Sequence, residues 1–156
     1  MIVFTAGGFD PFHEGHLKLI KKCRSLSAFV IVSVATNDHM EQKKGFYFMD
    51  EKARREIIQN IEGVTETEYH LGEDGTVNEN LIRLRHRFPN RKIIFAKGGE
   101  WTKDNIPEKD VCKENNIVIV DNLVGTLNSS SGLVERAVEL YSKGGGKDGR
   151  KKEKSR

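Results

Sequence analysis

Only two cysteines, Cys23 and Cys112, occur in 156 residues, too few for a disulfide framework. They fit a reducing compartment, and a cytoplasmic location is expected. No apolar run approaches the roughly 20 residues that cross a bilayer, so no membrane span is expected. The opening Met1–Thr5 turns to glycine too soon for a secretory signal. Charge of one sign is also missing from most of the chain. The net charge is +3, but residues 143–156 hold seven Lys/Arg against two Asp/Glu, which leaves 19 basic and 21 acidic groups over residues 1–142. A basic footprint for nucleic acid is absent there, and no nucleic-acid partner is expected. The tail (KGGGKDGRKKEKSR) lacks apolar residues that would offset its ordering entropy, so it is expected to be disordered. The organisation expected is one domain over 1–142 followed by a basic tail over 143–156. No repeat of 20–50 residues is visible.

What is present is an alternation of strand-like and helix-like segments. Met1–Ala6 is a short apolar strand followed by two glycines, and Glu14–Leu26 places Leu17, Leu19, Ile20 and Cys23 at helical spacing. Phe29–Ala35 (FVIVSVA) suits a strand buried on both faces of a parallel sheet. Thr36–Met49 reads as a loop. Asp50 then caps a helix whose expected inner face is Ala53, Ile57, Ile58 and Ile61. A weaker strand over Val64–Leu71, a helix over Asn78–Phe88, a strand over Lys92–Ala96, a short helix over Pro107–Asn115, a strand over Ile117–Val120 and a helix over Ser129–Tyr141 complete the pattern. Five strands alternating with helices predict an α/β fold: a Rossmann-like, open, parallel five-stranded sheet with helices on both faces. Ligands in such sheets sit beyond the carboxyl ends of the strands, where the strand order switches. That rule selects Gly7–His16, Gly98–Trp101 and Asn128–Ser131.

In the first of these, Gly7-Gly8-Phe9-Asp10-Pro11-Phe12-His13-Glu14-Gly15-His16, glycines let the backbone approach a ligand and a helix N-terminus offers free N–H groups to an anion. His13 and His16 are three apart, on one helical face, with Gly15 leaving room between them. Two imidazoles so placed suit a triphosphate under attack at its α-phosphorus, where they would hydrogen-bond oxygens that gain charge. The competing readings are capping or core histidines, or a zinc site. A zinc site needs a third ligand, and Cys23, His39, His70 and His86 show no suitable spacing, so no metal ligands are expected.

This segment resembles the G-x-F-D-x-x-H-x-G-H signature of the cytidylyltransferase-like nucleotidyltransferases. Every fixed position is matched by Gly7 (or Gly8, directly before Phe9), Phe9, Asp10, His13, Gly15 and His16. The resemblance implies a Rossmann-like enzyme that couples a nucleoside triphosphate to a phosphorylated alcohol or sugar and releases pyrophosphate. It further implies that His13 and His16 are catalytic, and that Ala6, Gly7, Gly8, Phe9, Asp10 and Gly15 hold the nucleotide. In the segment after the second strand, glycerol-phosphate cytidylyltransferases carry a lysine and then an arginine heading the next helix. Counting back from that helix aligns Lys43 and Arg54 with them. ADP-heptose synthases have a Lys-Gly pair there, matching Lys44, so both lysines are kept as catalytic candidates that close over phosphate. Arg54 is a substrate-binding candidate or an exposed helical residue.

Ala96-Lys97-Gly98-Gly99-Glu100-Trp101, with its continuation to Glu108, looks like the K-G-G-D-Y segment of heptose-phosphate adenylyltransferases, Glu100 replacing the usual aspartate. Gly98, Gly99 and Glu100 would meet the nucleotide and Trp101 the substrate, whereas read alone the glycine pair signals only a tight turn. Asn128-Ser129-Ser130-Ser131 matches the family's S-[ST]-[ST] string, implied to hold the β- and γ-phosphates, although one serine is accounted for by capping. The likeness runs from about Thr5 to Ala137. His39, His70 and His86 read as surface or satisfied histidines, Asp104 and Glu108 as members of a solvated loop, and Cys23 as core.

The expected function is transfer of a nucleoside monophosphate, AMP favoured, from an NTP to a sugar phosphate such as a heptose 1-phosphate. Transfer from CTP to glycerol 3-phosphate or a related polyol phosphate is the alternative, and a non-catalytic nucleotide-binding module is the alternative of another class. Mg²⁺ is expected with ATP or CTP. The expected partners are the NTP and a small-molecule phosphate acceptor, with the chain acting as a homodimer. An RNA-contacting protein with HIGH-like motifs is disfavoured by the net acidic 1–142 region.

Overall fold

The computed structural model describes residues 1–99, 101–125 and 130–143. Glu100, Asn128 and Ser129 among the candidate site residues, and the tail beyond Lys143, lie outside these. Among the described residues five strands, β1 (Ile2–Gly7), β2 (Val30–Val34), β3 (Glu66–Tyr69), β4 (Ile93–Ala96) and β5 (Val118–Val120), form one all-parallel sheet in the order β3-β2-β1-β4-β5. The six helices are α1 (Glu14–Leu26), α2 (Asn37–Lys44), α3 (Glu51–Gln59), α4 (Asn78–Arg87), α5 (Lys109–Glu114) and α6 (Ser130–Lys143). The expected fold class is found, with most boundaries displaced by only a few residues.

The apolar strands β1, β2 and β4 alternate their side chains between two cores, as a sheet covered on both faces requires. Ile2, Phe4, Ile31, Ile93 and Phe95 pack with Leu81, Leu84 and Cys112 of α4 and α5 on one face. Val3, Val30, Val32, Val34 and Ile94 pack with Leu19, Ile20 and Cys23 of α1 and Ile58 of α3 on the other. Both cysteines are buried and free. No described helix is long and apolar enough to cross a membrane.

Two sequence expectations are corrected here. Thr36–Met49 is not all loop. Thr36 accepts the His39 N–H as an N-cap and opens α2, which ends at Gly45 in the left-handed region (φ 81). The helix escaped notice because its segment shows almost no apolar periodicity, with Met40 its one buried side chain. The inner face of α3 also differs. Asp50 caps it as expected, but Ala53 and Ile57 face outward, while Arg54 and Ile58 are buried. A periodicity argument places no arginine in a core, and this one is there because oxygens surround it.

The strand order reverses between β1 and β4, so the carboxyl ends of these two neighbours open a crevice. The turn from β1 into α1 and the Lys97–Gly99 turn after β4 both lie at that edge.

Candidate active site

Thr5 Oγ1 donates to the Ala96 carbonyl at 2.9 Å, tying β1 to β4 just below the crevice. Above it the chain turns sharply. Phe9 adopts φ 53, a conformation seldom taken by a residue with a side chain, and its ring is almost wholly buried. A Cβ on Gly7 would come within 3.2 Å of that ring and one on Gly8 within 2.8 Å of the Met40 sulfur, so both glycines are close approaches.

His13 is the N-cap of α1, and its Nδ1 accepts the Gly15 N–H at 3.0 Å. His16 reaches back, its Nδ1 accepting the His13 N–H at 3.2 Å. The two rings lie 3.8 Å apart between centroids, tilted by 30°. Because each Nδ1 is an acceptor, the proton of each neutral ring sits on Nε2. Burial, then the neighbouring His13 and Lys44, pulls the His16 pKa down to about 3. Burial also lowers that of His13, partly opposed by Glu14. The capping reading holds for this pair, and each ring that caps the helix with one nitrogen retains a donor on the other.

Both histidines line a cavity of about 660 Å³ together with Ala6, Gly7, Phe9, Gly15, Lys44, Gly98, Gly99, Trp101, Ser130 and Ser131. The candidate residues from three distant sequence segments thus converge. Ser130 Oγ donates to the Pro11 carbonyl at 3.1 Å, linking the start of α6 to the β1–α1 turn. Lys43 and Lys44 stand on the last turn of α2, not on a mobile loop, and Lys44 alone of the two borders this cavity.

Two candidates do other work. Arg54, expected on the substrate, is fully buried. Its Nε donates to the Met49 carbonyl at 2.8 Å, its Nη1 to the carbonyls of Gly8 at 2.8 Å and Ala35 at 2.5 Å, and its Nη2 to Asn37 Oδ1 at 3.1 Å. It braces the loops beneath the site. Asp10, expected on the nucleotide, is also buried, and its two oxygens accept the N–H groups of Phe48 at 2.7 Å and Met49 at 2.8 Å. Gly8 and Asp10 border a second cavity of about 560 Å³, as does Lys43.

That second cavity holds residues sequence reasoning passed over. Glu108, read as solvated, is buried. His39 and His70 are not surface residues and are satisfied only in part: Thr36 Oγ1 pairs with His39 Nδ1 at 2.7 Å, the two rings meet edge-on at 5.2 Å, and both Nε2 atoms are buried without a hydrogen-bond partner among the described residues. Lys97 appears in the sequence beside the glycine pair, but only the fold shows it entering the crevice. His86 is exposed and Cys23 is core, as read from the sequence.

Residues 4–133 match the family model described as cytidylyltransferase-like. The chain belongs to the cytidylyltransferase-like family. Its members are nucleotidyltransferases, enzymes acting on an NTP and a small-molecule acceptor. Among relatives, the chain is 26% identical over 145 residues to the bifunctional protein HldE of Pelobacter propionicus, covering 90% of this chain and 28% of that protein. It is 29% identical over 144 residues to the FAD synthase of Korarchaeum cryptofilum, covering 89% of this chain and 92% of that enzyme. The chain thus spans little more than a quarter of its bifunctional relatives and most of the other. The crystal structure of the lipopolysaccharide core biosynthesis protein from Thermoplasma volcanium shares the fold, with a TM-score of 0.61 and 21% identity over 78% of this chain and 95% of that one.

Proposed function

We propose that this family member transfers AMP from ATP to the phosphate of a sugar phosphate such as a heptose 1-phosphate, releasing pyrophosphate. The observation that carries the reading is the pair of Nε2 donors on His13 and His16 sharing one cavity with Lys44 and with Ser130 and Ser131 at the N-terminus of α6. Hydrogen-bond donors, an ammonium and a helix N-terminus around one space suit a bound polyphosphate. In the step itself an acceptor phosphate oxygen attacks the α-phosphorus in line. The new O–P bond forms as the bond to the β-phosphate oxygen breaks, and that electron pair leaves with pyrophosphate. A phosphate nucleophile is already anionic, so no protein base is required.

Among the described residues no three His, Cys, Asp or Glu side chains group to hold an ion, and the Asp10 oxygens are taken. Mg²⁺ accordingly enters with the nucleotide, bound by its phosphate oxygens. The adenine preference rests on the likeness of Lys97–Trp101 to heptose-phosphate adenylyltransferases. The FAD synthase relative supports it too, since its product joins AMP to a flavin phosphate. Transfer from CTP to glycerol 3-phosphate is the second reading, favoured by the spacing from β2 to Arg54. Homodimerisation belongs to the same reading, with the exposed Val138, Leu140 and Tyr141 of α6 supplying apolar surface to cover. The test is pyrophosphate release from each NTP with Mg²⁺ against a panel of sugar and polyol phosphates. ATP with a sugar 1-phosphate is expected to give the highest rate. Nucleotide binding without pyrophosphate from any acceptor would replace this reading with a non-catalytic module.

A further inference from the structure

The cavity of about 560 Å³ adjoins the one assigned to the nucleotide, and His16, Lys44 and Ser130 line both. Its far wall comes from four separate places in the chain: His39 of α2, His70 just after β3, Lys97 after β4, and Glu108 before α5. The backbone of Lys97 is pinned, its N–H donating to the Val120 carbonyl at 2.8 Å. Its ammonium lies 5.1 Å from the centroid of Phe95 and 4.8 Å from that of Trp101, and it makes no hydrogen bond or ion pair among the described residues. Glu108 Oε1 accepts the Val77 N–H at 3.1 Å, while Oε2 is buried without a partner among the described residues, as are the two Nε2 atoms of His39 and His70. Buried polar atoms are ordinarily paired, and three unpaired ones around one cavity, beside an ammonium without a hydrogen bond, call for a ligand that pairs them.

We infer that this second cavity is the acceptor's subsite, with Lys97 binding the acceptor's phosphate and Glu108, His39 and His70 hydrogen-bonding the hydroxyls of a small polyhydroxylated carbon chain. The assignment rests on the transfer reading above and adds to it the residues that select the acceptor. A carboxylate accepts from hydroxyls, and Glu73 and Asp74 on the same wall extend that capacity. A flavin phosphate carries a hydroxylated ribityl chain of its own, so what sets it apart is the bulky tricyclic ring, which has no counterpart on a wall of Glu73, Asp74, Glu108, His39 and His70. The subsite meets the nucleotide cavity at His16, where an acceptor oxygen held by Lys97 would face the α-phosphorus.

The test is calorimetric titration of the full chain with mannose 1-phosphate, glycerol 3-phosphate, inorganic phosphate and flavin mononucleotide, alongside Mg·ATP and Mg·CTP. At least one of the two polyol phosphates is expected to bind more tightly than inorganic phosphate or the flavin, and the better of them identifies a ring or a linear chain. Lys97→Met is expected to weaken it at least tenfold and nucleotide binding less than twofold. Glu108→Gln should weaken the polyol phosphate but not inorganic phosphate. Melting gives an independent readout, because the lost hydration of the Lys97 ammonium outweighs its attraction to Glu108, so Lys97→Met should raise Tm. A structural lysine would do the opposite. Failure of both polyol phosphates to bind, tighter binding of the flavin, equal loss of nucleotide and acceptor, or a lowered Tm with acceptor binding intact would overturn the subsite. If Lys97→Met behaves as expected yet no pyrophosphate forms with both ligands bound, the subsite stands and the transfer reading falls.

Discussion

The His13 N–H donates to Nδ1 of His16 at 3.2 Å while the two imidazoles stack at 3.8 Å. One contact closes the first turn of α1 and also decides which nitrogen of His16 keeps its proton. Helix capping and the donor geometry of the site are therefore the same interaction, and substitutions must be chosen to separate them.

His16→Asn preserves a side-chain acceptor for the His13 N–H but removes the Nε2 donor. It is expected to lower kcat by on the order of 10²–10³ with little change in Tm. His13→Ala removes an N-cap acceptor as well, and should cost about 1 kcal/mol of stability in addition to activity. Pyrophosphate assays paired with thermal melts distinguish the two effects.

Acid should begin to destabilise the fold above the ordinary carboxylate range. Burial holds His16 and His70 at about 3, below the ordinary 6.5 that they regain on unfolding. Between those values the unfolded chain binds protons that the native state refuses, so stability falls as pH drops through the window from 6.5 towards 3. The slope is at most about 1.4 kcal/mol per pH unit for each histidine. Urea titrations at pH 7.5 and 5 should show the loss, and His70→Gln should remove about half of the part these two residues cause.

Arg54→Met should destabilise by about 3 kcal/mol or more, because it strands the buried carbonyls of Gly8, Ala35 and Met49. Urea unfolding measures this. Arg54→Lys should recover little, since an ammonium cannot span four oxygens with a planar fork.

Asp10→Asn keeps the shape of the carboxylate but accepts one backbone N–H where Asp10 accepts two, from Phe48 and Met49. The expected cost is about 1–3 kcal/mol. Cleavage near the exposed Phe46, Tyr47 and Phe48 by chymotrypsin should accelerate at the same time.

The sheet was legible because β1, β2 and β4 are short apolar runs bounded by glycine and polar turns, a pattern that parallel strands covered on both faces produce. The convergence of His13 and His16 with Ser130 and Ser131 was legible because imidazoles and hydroxyls beside helix N-termini are residue types that suit an anion. Helix α2 was not, since a helix with one buried residue leaves no apolar period to read. Arg54 and Asp10 carried the right residue types for ligand contacts, and only their neighbours showed that backbone groups already occupied them.

By itself the amino-acid sequence determined the alternation of strand and helix and the glycine turn that leads into a histidine-capped helix, because local periodicity and backbone stereochemistry depend on near neighbours. Tertiary structure alone decided that His39, His70, Lys97 and Glu108 share a wall. Those four residues leave different elements of the chain, and nothing short-range makes them meet. It is the parallel strand order, turning back between β1 and β4, that carries them to one edge of the sheet.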